Sequence, residues 1–376
     1  KRGCRGRKTP FQRGFPPPAS KQMVLIAMSG GVDSSVAAYL VKKSGEDAVG
    51  ATLKLFSNDD IQLDRTKTCC SLSDVEDARS VALRLGIPYY VFNFGENFRE
   101  QVIGRFIDTY ERGGTPNPCI DCNRFIKFRQ LLDRAELMGC SHIATGHYAR
   151  CEYDEASGRW RLLRSADPDK DQTYVLWALT QEQLSHTLFP LGGLNKSEVR
   201  AIAAEQGFLN ADKPDSQDIC FVPDGDYAKF IEGYTGKKSL PGKFIDTSGK
   251  VLGEHKGIIH YTLGQRKRLG ISLGHRACVT AIDPESNTVT LGDEPDLYTS
   301  RLVAHDINLI AYPEITAPMR VEAKTRYRHK AAPATLTQTG PDELTLVFDE
   351  PQRAITRGQS VVIYEGDVVV GGGIIA

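Results

Sequence analysis

The sequence lacks the features of a membrane-bound or secreted protein. No uninterrupted apolar run approaches the roughly 20 residues that a membrane-spanning helix needs, and no apolar signal segment lies near the start. Nine cysteines among 376 residues are an odd number, and they lack the close spacing of a small disulfide scaffold. This usage indicates a reducing compartment with a few functional thiols. We therefore expect a cytoplasmic protein that has no membrane partner.

An excess of charge of one sign is also missing. Lysine plus arginine and aspartate plus glutamate both number 47, so any nucleic acid must be bound by local basic patches. Internal repeats are absent too, and the only biased segment is residues 1–21, which are basic and rich in proline. We expect these residues to form a disordered tail.

From Met23 onwards the pattern alternates buried strands with amphipathic helices. Such a succession predicts an α/β fold with a parallel sheet of at least four strands, whose ligand site lies at the carboxyl ends of the strands. We assign residues 22–224 to this domain. Its predicted strands are 24–28, 48–56, 89–94 and one that ends at Thr145.

Beyond about residue 225 the helical periodicity fades, and glycine-rich turns separate short segments. Closely spaced strand-like segments then follow, as in a small barrel or sandwich. We predict a small central domain over residues 225–295 and a C-terminal β-barrel over residues 296–376. The strand-like segments of the barrel are 319–323, 344–348 and 360–364.

The first motif with evident chemistry is Ser29-Gly-Gly-Val-Asp-Ser-Ser35, which follows a buried strand and opens a helix. Free backbone N–H groups and the helix dipole bind anions at such a turn, and the glycines let a phosphate approach closely. The loop lacks the lysine of the Walker motif, so it is not a phosphate loop of that type. Its serines offer hydroxyl groups, and Asp33 is a candidate ligand for magnesium.

This string resembles the pyrophosphate loop (PP-loop) of the ATP pyrophosphatases, which split ATP into AMP and pyrophosphate to adenylate an oxygen. The resemblance implies that ATP, with Mg²⁺, is the nucleotide. Adenylation turns a poor leaving group into AMP, which a nucleophile can then displace. The implied ATP-binding residues are Ala27, Met28, Ser29, Gly30, Gly31, Val32, Asp33, Ser34 and Ser35.

Three cysteines form a second group of candidate residues. Cys119 and Cys122 lie in Thr115-Pro-Asn-Pro-Cys-Ile-Asp-Cys-Asn123, and Cys220 lies in a polar stretch that we predict to be exposed. Asn123 is a predicted helix N-cap, which would place the Cys122 sulfur beside a helix N-terminus, where a thiolate is stabilised and its pKa is lowered.

These motifs occur together with Thr145-Gly-His-Tyr-Ala149, Lys170-Asp-Gln-Thr-Tyr174 and Gly264-Gln-Arg266. In this order they resemble the bacterial and organellar tRNA-specific 2-thiouridylases, from Met23 to the C-terminus. The resemblance implies adenylation of O2 of the wobble uridine in Lys, Glu and Gln tRNAs. Persulfide sulfur then replaces this oxygen to give 2-thiouridine, with release of AMP and pyrophosphate.

The resemblance also implies roles for individual residues. Cys220 matches the cysteine that receives a persulfide from a cysteine desulfurase or a relay protein, and Cys122 matches its partner nucleophile, which would close a disulfide with Cys220 or liberate sulfide. Gly146 matches an ATP contact, and Leu53 replaces an adenine-contacting methionine. Implied tRNA contacts are Asn117, Pro118, Cys119, His147, Lys170, Asp171, Gln172, Arg326, Tyr327 and Gln359.

Cys119 departs from the pattern of the family, because many members have an aspartate there. Its catalytic role is therefore open, and Cys119, Cys122 and Cys220 could instead ligate three irons of a [4Fe-4S] cluster. Two other classes of function share some of these features: a synthetase that adds nitrogen to a small molecule, and a non-catalytic RNA-binding or metal-binding module. Neither needs both the phosphate loop and the paired cysteines.

Overall fold

The computed structural model describes residues 22–56, 72–214 and 219–376. The predicted tail, residues 1–21, and most of the polar stretch before Cys220 lie outside the described residues. Within these ranges, no helix combines the length and the apolar character needed to span a bilayer.

A parallel sheet organises the first half of the chain. Its five strands run in the order β3-β2-β1-β4-β7, and every neighbouring pair is parallel. The central strand is wholly apolar between its ends, since both faces of a parallel sheet are covered by helices. The strands of this half are β1 (Met23–Ala27), β2 (Asp47–Lys54), β3 (Tyr89–Asn93), β4 (His142–Ala144), β5 (Arg150–Asp154), β6 (Arg159–Leu163) and β7 (Thr187–Leu188).

Helices pack on both faces of this sheet and bury two apolar clusters. The cluster under α1 contains Val36 and Val41, and the cluster on the opposite face contains Phe128 and Trp177. The helices are α1 (Val32–Lys43), α2 (Leu72–Leu85), α3 (Gly95–Phe98), α4 (Arg105–Glu111), α5 (Pro118–Asp121), α6 (Leu131–Leu137), α7 (Gln181–Ser185), α8 (Lys196–Glu205) and α9 (Tyr227–Thr235). Two π-helical segments, Arg99–Gly104 and Cys122–Gln130, join α3 to α4 and α5 to α6.

The middle part of the chain opens with α9, although helical periodicity fades there in the sequence. A four-stranded mixed sheet follows, in the order β10-β11-β8-β9, and encloses a small core around Phe244. Its strands are β8 (Gly242–Asp246), β9 (Val251–His255), β10 (Cys278–Asp283) and β11 (Thr288–Gly292).

The last part of the chain is a closed barrel. Six antiparallel strands run in the order β12-β15-β14-β13-β16-β17, and β12 also pairs with β17, which closes the ring. The predicted fold class, a parallel PP-loop sheet with a central domain and a C-terminal barrel, is therefore confirmed. The strands are β12 (Tyr298–Leu309), β13 (Met319–Lys324), β14 (Ala332–Gly340), β15 (Glu343–Arg353), β16 (Ser360–Glu365) and β17 (Val368–Ile375).

Candidate active site

The phosphate loop lies between β1 and α1, at the carboxyl edge of the parallel sheet. Gly31 is the N-cap of α1 and offers no side chain, so the first N–H groups of the helix are not capped by a side chain. The serine hydroxyls fix the loop instead: Ser34 Oγ accepts from Ser29 N at 3.1 Å and donates to Gly31 O at 3.0 Å. The result is a preformed anion-binding turn.

Two glycines of the site are required by close backbone contacts. Gly30 has φ +77°, and a Cβ there would collide with the backbone of Asp74, 2.8 Å from its Cα. Gly146 follows β4, and a Cβ on it would lie 2.8 Å from Ser34 N. The predicted ATP contact Gly146 therefore lies directly against the phosphate loop, although the two segments are distant in sequence.

The other predicted ATP-binding residues lie where the sheet meets the loop. Ala27 ends β1, and the Met28 side chain is buried, so Met28 can offer only its backbone to a nucleotide. That backbone already bonds β2, through Ala51 O and the Thr52 hydroxyl. Leu53 is half-buried on β2, next to the sheet edge that carries the loop.

The predicted magnesium ligand Asp33 has protein partners instead. Lys196 Nζ lies 2.8 and 2.9 Å from its two carboxylate oxygens, and the Tyr148 hydroxyl donates to Oδ1 at 2.8 Å. A carboxylate neutralised by an ammonium group and bonded by a hydroxyl does not fit a free ligand for Mg²⁺, which needs ionised oxygens open to the ion. In this structure Asp33 instead joins Lys196 and Tyr148 at the loop, and its role as a magnesium ligand stays a prediction.

The helix that carries the first two cysteines begins more than one turn earlier than predicted. Asn117, not Asn123, is the N-cap: its side chain accepts from Cys119 N at 3.2 Å, and Pro118 occupies the first turn. Cys119 is therefore the thiol at the helix N-terminus and is exposed, whereas Cys122 lies further along and is buried. Asn123 is buried and donates to Val175 O.

Cys122 and Cys220 meet in one apolar cluster, which we call the thiol cluster. Cys122 belongs to its buried core, and Cys220, half-buried, packs against it. The prediction that Cys220 is exposed is thus only partly correct. It was based on the polar residues that precede Cys220 in the sequence, whereas the apolar Phe221 that follows is buried. The cluster also contains Leu55 and Phe56, which directly follow β2 at the same sheet edge as the phosphate loop.

The three cysteines do not fit an iron–sulfur cluster in this arrangement. Among the described residues, no group of three or more His, Cys, Asp or Glu side chains is placed to hold a metal ion. Cys119 is exposed and Cys122 is buried, so their thiols face different surroundings. Three residues along one helix keep the two positions on the same face, but the structure leaves one thiol exposed and buries the other.

Asp121 lies between the two cysteines and carries an unusual carboxyl group. Burial raises its pKa from the ordinary 3.8 to about 6, although the charges of Arg105 and Arg124 act in the opposite direction. Arg105 Nε lies 3.2 Å from Asp121 Oδ1. An acid that titrates near neutral pH therefore lies within one turn of both thiols.

Several predicted tRNA-contacting residues gather around Cys119. Tyr327 is 40% exposed and stands edge-on to the buried Tyr174, with ring centroids 5.9 Å apart. Burial, followed by the charges of Asp171 and Cys119, raises the pKa of Tyr327. Asp171 itself is buried and accepts from the Thr173 hydroxyl at 2.7 Å.

Other predicted tRNA contacts make internal hydrogen bonds. Arg326 Nη2 donates to Leu263 O, Ala354 O and the Thr356 hydroxyl, and thereby joins the barrel to the central part. Gln172 Oε1 accepts from Tyr148 N at 2.9 Å. The barrel residue Gln359 donates to Thr115 O at 2.9 Å and so holds the segment before Asn117 and Cys119.

His147 is held beside the same helix. Its Nδ1 lies 2.8 Å from the Thr145 hydroxyl, and its ring packs on Phe128. Burial, followed by the charge of Lys127, lowers its pKa well below the ordinary value. The imidazole is therefore neutral at physiological pH, and it can recognise RNA only as a hydrogen-bonding group.

Sequence reasoning missed the residues that brace the phosphate loop from a distance. They are Tyr148, Lys196, Asn210 and Lys213, and they reach the loop across more than a hundred residues. One signal was readable: Asn195 and Glu198 form a capping box, which fixes Lys196 in the first turn of α8. The sequence did not indicate which residue this lysine pairs with.

Family models match three consecutive parts of the chain. Residues 22–224 match the tRNA methyl transferase HUP domain, residues 228–293 the tRNA methyl transferase PRC-barrel domain, and residues 299–375 the aminomethyltransferase beta-barrel domain. Solved structures are only weakly similar. For a 4-thiouridine synthetase–RNA complex with bound ATP, the TM-score is 0.37 at 22% identity, over 54% of this chain and 45% of that one.

Curated proteins are much closer in sequence. The chain is 54% identical to the tRNA-specific 2-thiouridylase MnmA of Clostridioides difficile, over 94% of this chain and 97% of that protein. The MnmA protein of Acetivibrio thermocellus is also 54% identical, over 95% and 99%. That of Lachnoclostridium phytofermentans is 52% identical, over 94% and 99%. The chain therefore belongs to the tRNA-specific 2-thiouridylase family.

Proposed function

We propose that this protein uses ATP to convert the wobble uridine of Lys, Glu and Gln tRNAs to 2-thiouridine, with the sulfur carried on Cys220. One observation supports this most directly. Cys122 and Cys220 pack in the thiol cluster, which adjoins the carboxyl end of β2, while the phosphate loop follows the neighbouring β1. A nucleotide and two thiols at one sheet edge suit activation followed by sulfur transfer.

In the first step, the uridine O2 attacks the α-phosphorus of ATP and displaces pyrophosphate. The protein binds and orients the phosphates through the uncapped N–H groups at the start of α1 and the hydroxyls of Ser29 and Ser34. Lys196 offsets the negative charge of Asp33 beside the nucleotide. The product is an O2-adenylated uridine, whose C2 is open to a nucleophile.

In the second step, the terminal sulfur of a Cys220 persulfide attacks C2, and AMP leaves with the electron pair of the C2–O bond. The Cys122 thiolate then attacks the Cys220 sulfur, which breaks the sulfur–sulfur bond and leaves sulfur on C2. The two cysteines are oxidised to a disulfide while the transferred sulfur is reduced, and an external thiol reductant resets the pair. In the variant scheme, Cys122 first liberates the sulfide that attacks C2.

The substrate side of the site is formed around the N-cap of α5. Asn117, Pro118 and Cys119 form the turn that we propose contacts the target base, and Tyr327 is an exposed ring in the same neighbourhood. A flipped base is typically stacked and hydrogen-bonded in this manner. We propose a cysteine desulfurase or relay protein as the sulfur donor in the cytoplasm, and Mg²⁺ would accompany the ATP phosphates.

The central prediction concerns the two cysteines. Cys122→Ser and Cys220→Ser should each lower 2-thiouridine formation at least about a hundredfold, because a hydroxyl can neither carry sulfane sulfur nor form the disulfide. Nucleoside mass spectrometry measures the product after incubation with ATP, Mg²⁺, tRNA and a persulfide donor. Both variants should still bind ATP, since neither thiol lies in the phosphate loop.

Cys278→Ser is the matched control, because this buried thiol lies in the central sheet, on β10. It should retain thiolation. Cys119→Ser, measured alongside, tests whether the exposed thiol takes part in the reaction. Product formation by the Cys220→Ser protein would contradict the proposed function.

A further inference from the structure

A cavity of about 190 Å³ opens where α4, the start of α5 and the barrel meet. From α5 it is lined by Asn117, Ile120 and Asp121, which are three and four residues apart and so share one side of the helix. Cys119 is two residues from both Asn117 and Asp121, which turns it to the opposite side. A ligand in this cavity would therefore lie against the turn that we propose contacts the target base, away from the Cys119 thiol.

The barrel lines the other side of the cavity. Gly358 and Ser360 border it, and Gln359 between them donates to Thr115 O at 2.9 Å. The cavity thus adjoins two residues for which we propose tRNA contacts, Asn117 and Gln359. A tRNA whose target base reaches Asn117 would bring the neighbouring nucleotides close to this cavity.

The lining combines apolar side chains with hydrogen-bonding groups. Ile120 and Ile374 are apolar, whereas Asp108 and Arg112 contribute an exposed carboxylate and an exposed guanidinium from the end of α4. A guanidinium only donates hydrogen bonds, and an ionised carboxylate only accepts them. Ser360 is buried, and its Oγ has no hydrogen-bond partner within the described ranges. Apolar surfaces next to donors and acceptors match the faces and the edge of a nucleobase.

A phosphate or a whole nucleotide matches this lining less well. The two arginines of the lining, Arg105 and Arg112, are balanced by Asp108 and Asp121, so positive charge is not in excess. Arg105 is also held by Asp121, with Nε 3.2 Å from Oδ1. The volume lies below the roughly 300 Å³ at which pockets for drug-sized ligands begin. The occupant that suits the cavity is therefore a single planar ring.

We propose that this cavity receives an unpaired nucleobase of the anticodon loop that directly flanks the target uridine, and that Asp108 and Arg112 read its edge. Proteins that recognise RNA loops commonly bind splayed bases one by one, with hydrogen bonds to their edges. Holding a neighbouring base fixes the register of the loop, so the correct uridine is presented at Asn117. This inference rests on the proposed function, which supplies the tRNA substrate.

Binding of an anticodon stem-loop RNA tests the cavity without any sulfur transfer. The RNA has the Lys anticodon and a fluorescent label, and its dissociation constant from the full-length protein is measured by anisotropy. Two further RNAs have an abasic site at the 5′ or the 3′ neighbour of the target uridine. We expect one of them to bind about tenfold more weakly than the intact RNA, because one base loses its stacking and hydrogen bonds.

Substitutions at the end of α4 locate this contact. Arg112→Met and Asp108→Asn should each weaken binding of the intact RNA by about fivefold to tenfold, and should scarcely change binding of the sensitive abasic RNA, because effects on one contact are not additive. Both side chains are exposed, so the variants should fold, which circular dichroism checks. The matched control is Arg129→Met, an exposed arginine of the first domain that does not line the cavity. Any effect of this control should be the same for both RNAs.

Two results would overturn the inference. The first is that neither abasic RNA binds more weakly than the intact one. The second is that Arg112→Met and Asp108→Asn change the binding of intact and abasic RNA by the same factor, since these residues would then act on the RNA backbone or not at all. Either result leaves the proposed function standing. That function fails instead if the wild type does not thiolate intact tRNA.

Discussion

At the scale of single residues, the segment between Asn117 and Asn123 shows how one helix boundary changes the chemistry. Because Asn117 caps the helix, Cys119 stands at its exposed N-terminus, and Cys122 lies inside the protein. The same helix carries a carboxyl group two residues after Cys119. Asp121 is buried beside Arg105 and has a pKa raised to about 6.

The raised pKa of Asp121 predicts a pH dependence of stability. The unfolded chain releases this proton near pH 3.8 and the folded chain near pH 6, so the folded state binds the proton more tightly. Stability relative to Asp121→Asn should therefore fall as the pH rises from 4 to 7, by roughly 2–3 kcal/mol. Urea denaturation of both proteins across this range measures the difference.

The Asn variant is the natural control, because it keeps the shape of the side chain and cannot titrate. If the free energy of unfolding of the two proteins changed in parallel with pH, folding would not shift the pKa of the Asp121 carboxyl group. A difference in the opposite direction would mean that its ion pair with Arg105 outweighs the cost of burial.

At the scale of elements, the turn between β1 and α1 is the part most closely defined by contacts. It approaches α2 so closely that Gly30 has no space for a Cβ, and it approaches the end of β4 at Gly146. Seryl hydroxyls bond within the turn and leave the N–H groups at the start of α1 without a side-chain cap. A turn supported from both sides is pre-organised for phosphate.

Gly30→Ala should therefore abolish ATP binding. The new Cβ would collide with the Asp74 backbone, and φ +77° adds strain of about 1–2 kcal/mol for any L residue. We expect the ATP dissociation constant to rise by at least about a hundredfold, as measured by calorimetry. The loop must move away from α2 to accept the methyl group.

Two alanine variants separate collision from strain. A Cβ at position 31 would contact the Ser29 hydroxyl at 3.5 Å, and Gly31 has φ −87°. Gly31→Ala should therefore retain most of the affinity for ATP. Gly45 has φ +93° and open space around it, so Gly45→Ala should lower the free energy of unfolding without weakening ATP binding. Equal ATP binding by Gly30→Ala and Gly31→Ala would disprove the close packing on α2.

At the scale of the whole molecule, the first and last parts of the chain share a core. The cluster that contains Trp177 and Phe128 also contains Val362 and Tyr364 from the barrel. Asn308, also from the barrel, donates to the carbonyls of Trp177 and Leu179. The barrel is thus a structural support of the site.

The most direct link between barrel and site is the pair Arg124–Asp306. Two parallel hydrogen bonds, the longer at 2.9 Å, join the guanidinium to the carboxylate, and Arg124 stands two residues after Cys122. A double-mutant cycle with Arg124→Met and Asp306→Asn should give a coupling energy of about 1 kcal/mol, because both side chains are partly exposed. Each single variant should also slow thiolation, since the Cys122 helix loses an anchor.

The matched control is Arg320 with Asp349, an ion pair of the same bidentate kind within the barrel whose arginine is more exposed than Arg124. Breaking it should leave thiolation unchanged. Additive effects of the Arg124 and Asp306 substitutions on stability would show that the pair does not fasten the helix to the barrel.

The sequence by itself determined the fold class, and it singled out the phosphate loop and the cysteines as candidate site residues. Strand and helix periodicities are local, and the Ser29–Ser35 string combines glycine, hydroxyl and helix-start signals within a few residues. Family motifs supplied the sulfur chemistry and the tRNA. The helix boundary at Cys122 was wrong, because Asn117-Pro118 and Cys122-Asn123 both resemble a helix start, and only the backbone distinguishes them.

Only the tertiary structure decided what surrounds these motifs. It showed Asp33 paired with Lys196, and it brought Cys122 and Cys220 into one cluster. It also tied Asn210 and Lys213 to Gly30. The physical reason is that ion pairs and packing depend on distance in space, and the partners are separated by segments whose path the local pattern does not encode.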